Sequence, residues 1–475
     1  MSAAWFDPST PLALEAGLFA LAILTLALGR RSGRATGWTA LFGLTVLFTA
    51  SMVAQPGGDL QGGAFVLDGL ALFAKRLFLG SAAISVLASL GLGHAALERR
   101  SAEYHFGVLA SLLGMLVLAS ARELILLFVA FELMSIPLYF LTGFQKRDDV
   151  AAEAALKFFL VGTVSSAVIL YGLSFVYGVT GSTDVAAIGP ALTAGQPLMT
   201  LGLGLVLAGL GFKIAAVPFH MWVPDSYEAA GAPFVAWLSV APKAAGFVVL
   251  FRLYLEGMGA AALVWVPIVA TLAALTIVAG NLMAIPQRNI KRLLAYSGIA
   301  HIGYMLMGLA AISSGGAAMV LFYLVAYLFG NMGAFFVVQA VSASEGSDSI
   351  DAYRGLAQRS PVLALTMLVF LLSLGGIPFV AGFWAKLYVF WAAVDRGMYA
   401  LAFLGAVLTV VALYYYLLVA RRMYIDAPAP TRLGPLPVPL VLQIAIFTCV
   451  LGVVAMGVYP EPWVAAVMQV AEGLF

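Results

Sequence analysis

A lysine and a proline recur together at two places in this chain. One segment reads Gly211-Phe212-Lys213-Ile214-Ala215-Ala216-Val217-Pro218-Phe219-His220. The other reads Gly375-Gly376-Ile377-Pro378-Phe379-Val380-Ala381-Gly382-Phe383-Trp384-Ala385-Lys386. Both lie in long apolar stretches, where proline interrupts a helix. A third lysine, Lys243, follows Pro242, and a carboxylate, Glu132, stands in Phe131-Glu132-Leu133-Met134-Ser135-Ile136-Pro137. Each ionisable group at membrane depth costs about 3 kcal/mol on insertion scales. Four of them cost roughly 12 kcal/mol, comparable with the whole net stability of a fold, ~5–15 kcal/mol. The chemistry that repays such a load is proton transfer. A solvated lysine titrates near ~10.4 and keeps its proton at neutral pH. Burial disfavours the charged form and a nearby carboxylate restores it, so a lysine with a carboxylate partner is a switchable proton holder. Glu132 is the natural partner for Lys213 or Lys243.

The breaks at Pro218, Pro242 and Pro378 free backbone groups that need water or side chains, and such water conducts protons. Supporting relay candidates are Lys157, His220, Tyr296 and His301, the last two in Ala295-Tyr296-Ser297-Gly298-Ile299-Ala300-His301-Ile302-Gly303-Tyr304. His301 is placed to pass protons between the two halves; the bland alternative is a satisfied core histidine. Lys157 is also spaced i,i+4 from Glu153, which suits a local surface pair. Lys75 and Arg76, near a span end, can snorkel to the headgroups. His94 and His105, also near span ends, are expected to face the interface.

The elements that hold these residues are read from composition. The 475 residues are 63% hydrophobic and only 10% charged, with a mean hydropathy of +1.04; soluble domains carry roughly 25% charged residues. The net charge of +2 carries no nucleic-acid signal. A single cysteine, Cys449, excludes a disulfide framework and a thiolate metal site. Residues Met1–Pro11 lack a basic n-region, so no cleaved signal peptide is expected. There is no phosphate loop and no metal-ligand spacing. Gly202 and Gly204 lie within an apolar helix, where small residues serve close packing. The polar connections 55–65, 181–196 and 343–360 leave no room for a soluble catalytic domain.

The fold class is therefore an all-α polytopic membrane protein of about 14 transmembrane helices, with two inverted repeats that each contain a broken helix. The spans are predicted near 11–30, 37–54, 66–93, 104–120, 122–143, 153–179, 197–218, 233–255, 262–285, 292–312, 315–342, 361–391, 398–420 and 437–459. The 361–391 segment is too long for one straight crossing and reads as two half-helices around Pro378. The organisation expected is three N-terminal helices (1–100), a first repeat (101–256), a second repeat (257–424) and a C-terminal helix (425–475). Arg30, Arg31, Arg34, Arg99, Arg100, Lys146, Arg147, Arg288, Lys291, Arg292, Arg354, Arg359, Arg421, Arg422 and Arg432 fall on one side. The other side has only Arg122, Arg396 and Arg252. By the positive-inside rule the basic-poor side is periplasmic, and both termini lie there.

Three segments carry a resemblance. They are Phe131-Glu132-Leu133-Met134-Ser135-Ile136-Pro137, the run from Phe212-Lys213 through Pro218-Phe219-His220-Met221-Trp222-Val223-Pro224-Asp225, and Asn289-Ile290-Lys291-Arg292-Leu293-Leu294-Ala295-Tyr296-Ser297. Together they resemble the antiporter-like subunits of respiratory complex I, in a superfamily with multisubunit cation/proton antiporters and membrane-bound hydrogenases. Lys386 in Gly382-Phe383-Trp384-Ala385-Lys386 looks like the N subunit; the M-type subunit has glutamate there, and the L-type adds a lateral helix absent here. The resemblance implies a proton-translocating subunit of bacterial NADH:quinone oxidoreductase, a translocase of the inner membrane. It implies that Glu132 and Lys213 form the family's pair, with Lys243 the central relay and Lys386 the terminal lysine. Asp225 and Glu228 follow the first break as in relatives. The chain would bind no cofactor and no metal itself. FMN, iron–sulfur clusters and quinone would sit in other subunits, and the neighbours would be the M-type and the small K-type subunits, with lipids around them.

Two alternatives stand beside this reading. One is a subunit of a sodium/proton antiporter. The other is a small-solute permease, which lacks a polar cluster at the breaks. The relay reading makes a geometric demand: Lys213, Lys243, His301 and Lys386 should line one polar axis parallel to the membrane, with none of them facing lipid.

Overall fold

A computed structural model describes residues 7, 9–29, 33–91, 100–145, 148–191, 196–428 and 434–475. Arg30, Arg31, His94, Arg99, Lys146, Arg147 and Arg432, together with the extreme N-terminus, lie outside the described residues, and for Arg34 only the backbone is described.

Among the described residues, twelve helical segments are long and apolar enough to cross a membrane. Two shorter apolar helices, Ala13–Leu28 and Pro361–Gly375, occupy the first and twelfth predicted positions. The helices run α1 (Ala13–Leu28), α2 (Gly33–Val53), α3 (Gly69–Ser89), α4 (Ser101–Ser120), α5 (Leu124–Thr142), α6 (Asp149–Thr180), α7 (Val185–Ala191) and α8 (Pro197–Ile214). They continue as α9 (Trp222–Ala229), α10 (Ala232–Leu238), α11 (Ala241–Leu250), α12 (Ala262–Ala284), α13 (Ile290–Ala310) and α14 (Ser314–Glu345). The last are α15 (Leu356–Arg359), α16 (Pro361–Gly375), α17 (Ala381–Asp395), α18 (Tyr399–Tyr424), α19 (Leu440–Val458) and α20 (Glu461–Glu472). A π-helical turn, Phe251–Gly257, extends α11.

The ends of these helices follow local chemistry. The Asp68 side chain caps α3 by accepting from Ala71 N at 2.8 Å, Asp148 caps α6, Asn289 caps α13 and Ser313 caps α14. Each supplies an acceptor to amides that have no intrahelical partner. The two 32-residue helices α6 and α14 both end on a left-handed glycine, Gly181 and Gly346, the usual C-terminal stop. The predicted all-α reading missed one feature. The 55–65 connection contains a two-stranded hairpin in which β1 (Asp59–Leu60) pairs antiparallel with β2 (Phe65–Val66).

The chain divides into two compact units. The first comprises residues 1–214, 241–265 and 469–475; the second comprises 215–240 and 266–468. Within the first, α6 and α8 cross closely. A Cβ on Gly202 would stand 3.0 Å from both Gly172 O and Phe175 Cβ, so packing accounts for this glycine, whereas Gly204 faces open space. Within the second, Arg292 of α13 binds Asp225 at 2.9 Å and Glu228 at 2.8 Å, Asn289 donates to Glu228 at 3.0 Å, and Lys291 pairs with Asp348 at 2.8 Å. These bonds fasten α9, just past the first break, to the start of α13.

Two expectations fail. His105 does not face the interface: it is 2% exposed and its Nδ1 contacts Ser101 O at 2.7 Å, because its helical face turns inward. Lys75 does not snorkel. It is wholly buried against Glu15, 2.8 Å away, while Arg76 donates to the carbonyls of Ser51 and Ala54. Arg252, assigned to the basic-poor side, is fully buried at the π-helical turn.

Candidate functional site

Both predicted helix breaks are present. α8 ends at Ile214, irregular backbone follows through Pro218, whose bond to Val217 is cis, and α9 begins at Trp222. α16 ends at Gly375 and α17 begins at Ala381. Each gap holds a non-glycine residue with left-handed backbone, Ala215 (φ 66°) and Phe379 (φ 72°). Such conformations cost of order 1–3 kcal/mol and gather at working sites. A third interruption separates α10 from α11 just before Pro242. Prolines inside α5 and α12, Pro137 and Pro267, leave those helices unbroken.

In the first unit, Lys213 is buried. Its Nζ lies 4.6 Å from the centroid of the Phe131 ring and 5.4 Å from that of Tyr139; the ring faces attract the cation. Glu132 acts on Lys213 electrostatically. Glu132 itself is half-buried and accepts a short hydrogen bond from Ser166 Oγ. Lys243, on the first turn of α11, is 1% exposed and so does not point outward. Lys157 forms the predicted surface pair with Glu153, 2.7 Å away, with about half of its side chain exposed.

In the second unit, Lys386 is buried. Its Nζ donates to Leu374 O at 2.9 Å and Gly375 O at 3.1 Å, the carbonyls that the end of α16 leaves without amide partners. The same Nζ lies 5.1 Å from the centroid of the Tyr304 ring. Tyr304 in turn makes an edge contact with the ring of His301, centroids 6.2 Å apart, and further buried hydroxyls lie on these helices. Thr409 Oγ1 donates to the Tyr304 hydroxyl at 3.2 Å. His301 Nδ1 contacts the Tyr323 hydroxyl at 2.7 Å and its Nε2 the Tyr416 hydroxyl at 3.4 Å, and Tyr416 shares a short hydrogen bond with Ser297. The Tyr415 hydroxyl donates to Asn281 Oδ1 at 3.1 Å. His301 is thus a hydrogen-bonded member of a buried polar row. Tyr296 is only half-buried, because five residues along a helix place it on a different face from His301. His220 is 8% exposed, between the first break and α9.

Ser166, Tyr304, Tyr323, Tyr415, Tyr416 and Asn281 were not singled out for the site from sequence. A signal existed for some of them: Tyr414-Tyr415-Tyr416 is a run of three phenols inside an apolar span, and Tyr323 and Tyr327 are spaced i,i+4. Among the described residues, no group of three metal-binding side chains is found.

Comparison with known proteins identifies the family. Residues 121–412 match the family described as NADH:quinone oxidoreductase/Mrp antiporter, TM. The chain is 42% identical over 465 residues to NADH-quinone oxidoreductase subunit N of Moorella thermoacetica, covering 98% of this chain and 97% of that one. It is 42% identical over 466 residues to the protein of the same name from Heliobacterium modesticaldum, covering 97% of each. Among solved structures, it is similar to a chain of respiratory complex I from Thermus thermophilus, with a TM-score of 0.82 and 34% identity over 96% of this chain and 99% of that chain. A chain of the Mrp complex from Dietzia shares the fold, with a TM-score of 0.87 at 21% identity. The family match over most of the chain and the full-length identity to several relatives place this protein in the antiporter-like membrane-subunit family shared by NADH:quinone oxidoreductases and Mrp antiporters.

Proposed function

We propose that this chain is the N-type proton-translocating subunit of a bacterial NADH:quinone oxidoreductase. The observation that carries this reading is Lys386, whose ammonium bonds the carbonyls freed by its own broken helix and faces the ring of Tyr304, which packs on His301 and its buried hydroxyl partners. A solute site would need polar groups converging on a cavity; here they converge on a lysine.

In the first unit, Glu132 and Lys213 hold and release a proton, with Lys243 as the next acceptor. In the second unit, Lys386 exchanges its proton with the Tyr304 and His301 row. The chain supplies no redox chemistry in this account; quinone reduction in other subunits, with FMN and iron–sulfur clusters, drives it. Residues 101–256 and 257–424 form two inverted repeats in the inner membrane, each containing one broken helix, with the basic-rich loops cytoplasmic and the M-type and K-type subunits alongside. The full-length identity to proteins named NADH-quinone oxidoreductase subunit N favours this assembly over a free-standing sodium/proton antiporter.

Affinity purification from native membranes tests the assignment. The tagged chain is expected to carry flavin and iron–sulfur absorbance with quinone-linked NADH oxidation. A preparation containing the chain in a stable complex that lacks both chromophores would overturn it.

A further inference from the structure

The first three helices hold a buried acid–lysine pair of their own, separate from Glu132 and Lys213. Lys75 lies six residues past the start of α3, about 9 Å into the helix at 1.5 Å per residue. Glu15 is the third residue of α1. Their charged atoms are 2.8 Å apart, with the side chains 0% and 5% exposed. Apart from each other, neither the two Glu15 oxygens nor Lys75 Nζ has a hydrogen-bond partner among the described residues. The ring of Phe65 closes one side of the lysine, 5.1 Å away.

From this pair a row of alternating charges runs outward. Lys75 interacts electrostatically with Asp68 and Arg252. Arg252 binds Asp68 with two hydrogen bonds of 2.6 and 2.7 Å and Glu256 with one of 2.6 Å. It also donates to Ala119 O at 3.0 Å. Glu256 in turn pairs with Arg122 at 3.0 Å, and the Arg122 side chain is 30% exposed. Asp68 is 32% exposed. The row thus ends at accessible groups on the basic-poor side of the sequence, and Arg252 stands in the π-helical extension of the helix that carries Lys243. π-turns inside helices recur at functional sites.

A purely structural need does not account for Glu15 and Lys75. Replacing a buried ion pair by apolar residues of similar volume is often neutral or stabilising, whereas ionisable groups inside a membrane protein are costly and mark ion paths. We infer that Glu15 and Lys75 are a second proton-exchanging pair, connected by the Asp68–Arg252–Glu256–Arg122 row to the aqueous face opposite the basic loops. The step balances within the pair. A Lys75 N–H bond breaks and a Glu15 O–H bond forms, turning ammonium and carboxylate into amine and carboxylic acid with no change in net charge. Glu15 then releases its proton toward the accessible Asp68 end of the row and so to water at that face, and a proton arriving from the membrane interior recharges the Lys75 amine, so that each cycle moves one proton outward. The inference rests on the proton-translocating reading above.

The test uses the whole complex in lipid vesicles, with proton movement followed by a pH dye and turnover by NADH oxidation. The variants are Glu15→Gln, Lys75→Met, the double Glu15→Gln/Lys75→Met, and the swapped pair Glu15→Lys/Lys75→Glu. A proton-exchanging pair predicts that the double variant assembles yet moves at most about half the protons per NADH of wild type, since a discharged pair cannot exchange. The swapped pair is expected to pump with a displaced pH profile. A double variant with wild-type yield at every pH would overturn the inference. If the double variant fails to assemble, the swapped pair decides: a wild-type pH profile overturns the proposal and a displaced one supports it. Wild-type vesicles that move no protons would instead defeat the proton-translocating reading itself, which keeps the two failures apart.

Discussion

Lys386 reaches back across the break in its own helix to the Leu374 carbonyl, 2.9 Å from its Nζ. The backbone permits this approach at Gly376, which has φ 85° and lies so close that a Cβ there would stand 3.0 Å from Lys386 Cδ. A broken helix by itself exposes polar backbone in an apolar medium. Here the lysine satisfies two of the exposed carbonyls, and the carbonyls hold the lysine at the end of the Tyr304–His301 row.

Substituting Gly376→Ala tests that arrangement. An alanine in left-handed backbone costs about 1–2 kcal/mol, and its methyl group presses on the Lys386 stem. The complex is expected to assemble in somewhat reduced amount, with protons moved per NADH falling severalfold. Wild-type yield per assembled complex would show that the Lys386 position tolerates displacement.

Glu132→Gln is expected to slow quinone-linked NADH oxidation severalfold in membranes holding normal amounts of assembled complex. The substitution keeps the shape and removes the charge that acts on Lys213. Because Glu132 is half-buried, the loss of stability should be small. Unchanged turnover would make Glu132 a structural residue.

Much of this arrangement was legible in the sequence because the physics behind it is local. Apolar length set the spans, and the predicted 197–218 and 361–391 segments break where Pro218 and Pro378 stand. Burial of Lys213, Lys243 and Lys386 followed from their depth within those spans. What escaped was non-local. Tyr416 meets His301 only because α18 packs on α13, and no spacing within either helix announces that contact. Lys75 lies near a span end, where snorkelling is one open reading, and nothing in the sequence ties it to Glu15 sixty residues away; the fold turns both inward. The hairpin of Asp59–Leu60 with Phe65–Val66 is too short to give a period.

Tyr323→Phe removes the hydroxyl that contacts His301 Nδ1 at 2.7 Å. A neutral hydrogen bond contributes about 1 kcal/mol net, so the complex should remain intact. Proton pumping is expected to fall further than assembly does, measured as pumping rate per unit of complex. Equal losses in both would reduce the Tyr323–His301 contact to packing.

Arg292→Ala offers the opposite pattern. It severs the bonds to Asp225 and Glu228 that fasten α9 to α13. Charge-assisted hydrogen bonds contribute about 1.5–3 kcal/mol each when buried, and less here because all three side chains are partly exposed. The amount of assembled complex should fall, while the molecules that do assemble pump close to normally. Full assembly with lost pumping would move Arg292 from the scaffold into the pathway.

The central claim, that protons pass through the lysine at the second break, is tested most directly by Lys386→Ala in the purified complex reconstituted into vesicles. The account predicts normal assembly with protons moved per NADH reduced to a small fraction of wild type, because among the described residues no other buried amine stands at that break. Wild-type proton yield per NADH in vesicles containing the Lys386→Ala complex would contradict it.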